Sequence, residues 1–166
     1  MDSVENQIAS RGLSLPPAGV VPPGVTLPFA WVRVHGDRAF ASGHGPLSAD
    51  GTMQPPFGRV PSEVSLDAAQ AAAKAATLAL IGALQRAVGS LDRVTWLSLT
   101  GCVNADAGYE QTTLVFNPAS ELILDLFGSE RGQHARTALG YAALPFNLPV
   151  IVAAEVALTQ PDGRDR

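Results

Sequence analysis

The chain has one cysteine, Cys102, and one lysine, Lys74. A lone cysteine excludes an internal disulfide and a cysteine-built metal cluster. The other cationic side chains are arginines scattered along the sequence, and the formal net charge is -4. No basic stripe forms, so the composition argues against a nucleic-acid footprint. Aromatic residues make up only 6% of the chain. No apolar run is long enough to span a bilayer. The opening residues, Met1-Asp2-Ser3-Val4-Glu5, are acidic and do not read as a signal peptide. The simplest expectation is a cytoplasmic protein. What the chain does have is small and apolar residues, 46% hydrophobic with 16 glycines and 13 prolines. At 166 residues it is large enough for a buried core and reads as one domain.

The organisation follows from periodicity and punctuation. Val4 to Arg11 predicts a short helix with Asp2 or Ser3 as cap and Gly12 as stop. Pro16 to Pro28 is too rich in proline for regular structure. These make residues 1–28 an N-terminal helix and linker, 29–159 the main domain and 160–166 a polar, frayed tail. Trp31 to Val34 alternates as a strand, and Arg38 to Ser42 returns antiparallel after the turn His35-Gly36-Asp37. Gly43 to Pro61 reads as loop. Leu66, Ala69, Ala73, Ala76, Leu80, Leu84 and Val88 share one helical face, with Ser65 as cap and Gly89 as terminator. Its alanines let the helix lie close to a sheet. Val94 to Val103 is a strand. Asn117 as cap with Pro118 at the first position starts a helix that Gly128 closes. Arg136 to Ala142 and Val150 to Leu158 complete the order β-β-α-β-α-β-β. The fold class is α+β, a mixed sheet with two helices on one face. The last strand is apolar on both faces, which helices on one face do not explain. A second copy of the chain is the economical cover.

Arg136 stands among small and apolar residues in His134-Ala135-Arg136-Thr137-Ala138-Leu139-Gly140. It must pair with an internal acid or wait at a cleft for an anion. Its planar fork suits a carboxylate. His134, two residues earlier, falls on the same strand face. Cys102 reads as core, with nothing to lower its thiol pKa.

Four blocks in order resemble the RidA/YjgF family, the reactive-intermediate deaminases also called endoribonuclease L-PSP-like proteins. They are Arg38-Ala39-Phe40-Ala41-Ser42-Gly43-His44-Gly45-Pro46, Leu91-Asp92-Arg93-Val94 leading to Thr100-Gly101-Cys102-Val103-Asn104, Phe116-Asn117-Pro118-Ala119-Ser120, and Ala135-Arg136-Thr137 followed by Leu144-Pro145. They cover the chain from about Val32 to Leu158. Residues Val4 to Pro17 resemble the family's longer branch, which carries a short N-terminal helix. The resemblance implies a homotrimer whose sheets form a central barrel, with active sites in the clefts between subunits. It implies hydrolysis of imine or enamine acids to 2-keto acids and ammonia, with no metal and no organic cofactor. Arg136 would hold the substrate carboxylate and orient the electrophilic carbon beside a water. Ser42 and Gly43 match a loop that lines the site, and His44 stands where many relatives have Gln. Asn117 reaches the cleft or caps its helix. Ala138 stands where relatives often have Cys, in a contact made through backbone.

One departure bears on the chemistry. Relatives carry a glutamate in the last strand that helps hold the attacking water; the matching positions here are Ile151 and Ala153. Glu155 is in phase with them but about 13 Å beyond Ile151 at strand rise. Glu155 therefore serves a shifted site, or that acid is absent. Two readings stay open: an imine or enamine deaminase using Arg136 and Glu155, with Ser42, Gly43, His44, Asn117, Ala138 and Ile151 around the substrate, or a diverged member that binds a small carboxylate without deaminating it. A ribonuclease is disfavoured by the acidic charge and the lack of an evident acid–base pair near Arg136.

Overall fold

A computed structural model describes residues 3–159. The polar tail expected at 160–166, and Asp2 as an alternative cap, lie outside the described residues. The first helix, α1 (Val4–Ser10), takes Ser3 as its cap through a hydrogen bond from Asn6. Val4 and Ile8 are buried, and Glu5 accepts from the Leu91 amide at 2.8 Å, which ties the N-terminal segment to the body.

Five strands form one sheet in the order β1 (Val32–His35), β2 (Arg38–His44), β5 (Val150–Leu158), β3 (Val94–Asn104), β4 (Ala135–Tyr141). The β3–β4 pair is parallel and the other three are antiparallel. A parallel neighbour needs a crossover. It is supplied by α3 (Thr112–Val115) and α4 (Asn117–Gly132). The sheet is therefore mixed, with its helices on one face, as the α+β reading expects.

The long helix α2 (Leu66–Val88) has Ser65 as cap and Gly89, at φ 84°, as its terminator. Burial extends well beyond the alanine stripe, to Ala72, Thr77, Ala79, Ile81, Gly82 and Ala83. Part of this cover comes from Leu15 and Pro16, and α3 and α4 also pack against the helix. A Cβ on Gly82 would lie 3.1 Å from the Pro16 carbonyl oxygen, and Arg86 donates to that oxygen.

Helix α4 departs from expectation at its start. Phe116, not Asn117, is its cap residue, and no side chain bonds to its first turn. The preceding α3 delivers the chain already close to helical geometry, which leaves the Asn117 side chain for another task. At the far end Gly128, with φ 74° and ψ 169°, closes the first helical stretch as expected. A further turn runs to Gly132, where Arg131 donates to the Asp92 carbonyl oxygen at 2.8 Å.

The register separates the two sheet faces. Ala39 and Ala41 of β2, Leu99 and Val103 of β3, and Val152 and Val156 of β5 are buried on the helix side. Phe40, Glu155, Ile151 and Cys102 alternate onto the other side. There Phe40 is 43% exposed and Leu139 is 51% exposed. Cys102 is therefore not part of the helix-side core; it is half-buried on the open face, where desolvation pushes its thiol pKa up.

Candidate functional site

Arg136 sits on β4, an edge strand, opposite Leu99 of β3. Leu99 is buried on the helix side, so Arg136 points to that side, toward the start of α4. Gly101 brings the helix within reach. A Cβ there would lie 2.4 Å from the Phe116 ring, so only glycine lets that ring seat on the sheet. Phe116 is fully buried and fixes where α4 begins.

The guanidinium then meets three neutral acceptors. One nitrogen donates to Ser120 Oγ at 3.1 Å; the other donates to Asn117 Oδ1 at 3.0 Å and to the Thr113 carbonyl oxygen at 3.3 Å. No ion pair among the described residues includes Arg136. The group is half-buried, held in a fixed pose and without a compensating carboxylate, next to a helix terminus that no side chain caps. Arginine donors and a helix N-terminus both favour an anion.

A histidine extends this network. His134 Nδ1 lies 2.7 Å from the Gly132 carbonyl oxygen, so that nitrogen carries the hydrogen. His134 Nε2, 3.0 Å from Ser120 Oγ, is then the acceptor for the serine hydroxyl in the neutral ring. Trp96 backs the imidazole at 6.1 Å between centroids. Ser120 was not singled out from sequence. The available signal is its spacing: three residues after Asn117 on a helix, it shares Asn117's face.

The other predicted residues lie elsewhere. Ile151 pairs with Cys102 on the open face, and a Cβ on Gly43 would come 2.8 Å from its Cγ2. Together with Phe29, Trp31, Gly45 and Leu148 they line an apolar cavity of about 330 Å³. Ser42 does not offer its hydroxyl to that cavity, because it donates to the Ala30 carbonyl oxygen at 2.7 Å. His44 turns the opposite way, to the helix side. A bulge between Ala41 and His44 brings it level with buried Val152 and reverses its expected face. It is 6% exposed, stacks on Trp31 and is bonded through Nδ1 to the Ser42 carbonyl at 2.6 Å. Burial holds its pKa below the usual histidine value. Glu155 forms an ion pair with Arg38 on the open face, so within one chain it does not meet Arg136. The Ala138 carbonyl accepts from Thr112 Oγ1 at 3.1 Å. One chain thus brings Arg136 and Asn117 together, and separately Gly43 and Ile151.

The architecture defines the class. A protein of unknown function from Agrobacterium tumefaciens is 28% identical, covers 95% of this chain and 92% of its own, and superposes with a TM-score of 0.82. A candidate endoribonuclease from Shewanella oneidensis is 25% identical over 95% of this chain and all of its own (100%), with a TM-score of 0.84. No family model matches the sequence. The chain has the fold of the RidA/YjgF family, the L-PSP endoribonuclease-like proteins. It is also similar to Protein TCP17 of Trypanosoma cruzi, 41% identical over 102 residues, a match spanning 61% of this chain and 64% of that protein.

Proposed function

We propose that this protein hydrolyses reactive imine or enamine acids to 2-keto acids and ammonia, with Arg136 gripping the substrate carboxylate. The observation that carries the reading is Arg136 itself: a half-buried guanidinium held by three neutral acceptors and lacking an acidic partner among the described residues. A carboxylate would supply the missing charge through charge-assisted bonds. Asn117 acts here as a holder of Arg136. The Gly43–Ile151 cavity supplies an apolar wall for the substrate's substituent.

The two halves lie on opposite sides of one sheet, which supports completion of the site by a second copy. The uncovered apolar face supports a homotrimer, in which the β4 edge of one subunit meets the Gly43–Ile151 wall of the next. Sedimentation at micromolar concentration should give three chains; a monomer would refute the shared cleft.

A second reading is binding of a small carboxylate without turnover. It draws on Ile151, which cannot hold a water as an acid does, and on the commitment of Glu155 to Arg38. One experiment separates the two. A dehydratase acting on threonine releases 2-iminobutyrate in solution. Faster release of 2-oxobutyrate in the presence of the protein supports hydrolysis; an unchanged rate with saturable binding of 2-oxobutyrate supports the second reading.

A further inference from the structure

We propose that Ser120 and His134 form the proton-transfer couple of this site, Ser120 meeting the attacking water and His134 acting through it. The proposal rests on the reading of Arg136 as the carboxylate anchor. Three contacts line up. Arg136 donates to Ser120 Oγ at 3.1 Å, the Ser120 hydroxyl donates to His134 Nε2 at 3.0 Å, and His134 Nδ1 donates to the Gly132 carbonyl oxygen at 2.7 Å. The Gly132 contact fixes the tautomer that leaves Nε2 able to take a proton. The cationic neighbour makes the serine hydroxyl a better proton donor. In a 2-imino acid the electrophilic carbon is bonded directly to the carboxylate carbon. A hydroxyl bonded to the carboxylate's anchor is therefore next to the carbon that water must attack.

The steps balance. The water oxygen bonds to the carbon of the protonated imine, and the C=N π pair moves onto nitrogen as an amine. The water's surplus proton passes to Ser120 Oγ while the serine's own proton moves to His134 Nε2. The same path returns that proton to the amine nitrogen of the carbinolamine. The C–N bond then breaks with its electron pair leaving on ammonia, and the hydroxyl oxygen forms the carbonyl. The hydroxyl proton leaves through Ser120 to His134 and from there to the departing ammonia. Water is the only co-reactant, and the products are a 2-keto acid and ammonium.

The partners in contact with His134 are Ser120 on α4, the Gly132 carbonyl and the Trp96 ring on β3; Arg136, one hydroxyl away, is the charged neighbour on β4. No ion pair among the described residues includes His134. A base of this kind must be unprotonated to act.

The test uses the full chain with 2-iminobutyrate released in situ, and reads kcat against pH together with calorimetric affinity for 2-oxobutyrate. Ser120→Ala and His134→Gln are expected to lower kcat by about 10²- to 10⁴-fold, the usual worth of positioned acid–base help. In His134→Gln the affinity for 2-oxobutyrate is expected to stay within about threefold, which also shows that the variant is folded; Ser120→Ala, which also removes one acceptor of Arg136, is expected to lose far more in kcat than in affinity. His134→Gln should remove the acid limb of the kcat profile. Active wild type with variants of unchanged kcat and unchanged pH profile would overturn the couple and leave the deaminase reading standing. Equal loss of binding and turnover in Ser120→Ala, the smaller change, would reduce the pair to supports of Arg136. A wild type that binds 2-oxobutyrate but does not accelerate its release would overturn both.

Discussion

The two regions that the sequence associates with one site differ in nearly every physical respect. Around Arg136 every functional group is polar and committed: one guanidinium bonds to a hydroxyl, an amide oxygen and a carbonyl, on the helix side of an edge strand. Around Ile151 the wall is apolar and nothing is committed, because Gly43 has no side chain and the hydroxyl of neighbouring Ser42 is turned away to Ala30. On the proposed reading the first region meets a charge, which needs direction. The second is built to meet a shape, which needs only space. Under the proposed shared cleft, their separation across the sheet divides the labour between two copies of the chain. Charge anchoring and substituent selection can then be altered one at a time.

The largest effect should come from the anchor. Arg136→Ala is expected to weaken binding of 2-oxobutyrate by about a hundredfold. That figure corresponds to two charge-assisted hydrogen bonds at about 1.5 kcal/mol each. Titration calorimetry checks it, and an affinity within threefold of wild type would remove the anchor from the account.

Next comes the glycine that seats α4. Gly101→Ala places a methyl group 2.4 Å from the Phe116 ring, so helix and sheet must separate. Overpacking of this kind costs about 1–3 kcal/mol. The expected result is a lower denaturant midpoint with a similar slope, together with weaker 2-oxobutyrate binding as Asn117 and Ser120 shift away from Arg136. Full stability with full binding would show that Phe116 does not set the position of the site.

The apolar half is expected to give a smaller and more selective change. Ile151→Glu should weaken binding of phenylpyruvate by about tenfold, since a carboxylate in the apolar wall would have to lose its solvation to pack against the phenyl group. Pyruvate, which has almost no substituent to place there, should change little. A parallel loss for both acids would show that the wall does not select the substituent.

How much of this was legible in the sequence depends on distance along the chain. The helix at Leu66–Val88 and the strand at Val150–Leu158 were readable to the residue, because their signals are local periodicity and flanking breakers. Arg136 stood out because an arginine among small residues needs an explanation, and Asn117 was already in its neighbourhood. The role of Asn117 was not readable: as a cap it is a good local guess, but α3 runs straight into α4 and frees its side chain. The burial of His44 on the helix side is not readable, because one extra residue in β2 reverses a two-residue period and a bulge leaves no clear mark in composition. The apolar cavity was beyond reach apart from Ile151 and Gly43, since its lining comes from the 19–31, 43–53 and 145–151 stretches.

The smallest expected effect is a pH dependence of stability from buried His44. Its folded pKa lies below the ordinary value of 6.5, chiefly through desolvation and further through Arg86, with the Ser42 carbonyl bond opposing. The unfolded chain therefore binds a proton at pH values where the folded chain does not. Stability from this group is present in full above 6.5 and is lost as pH falls below it toward the lowered folded pKa. His44→Gln should flatten that acid-side slope in chemical denaturation at a series of pH values. An unchanged slope would place the titration elsewhere.

The most direct test of the divided site is a titration of wild type and Arg136→Lys with two acids, pyruvate and phenylpyruvate. Lysine keeps the charge and loses the planar fork. The account predicts that wild type binds phenylpyruvate more tightly than pyruvate, and that Arg136→Lys weakens both by the same factor, about tenfold or more. Unchanged affinity for both acids in Arg136→Lys would contradict it.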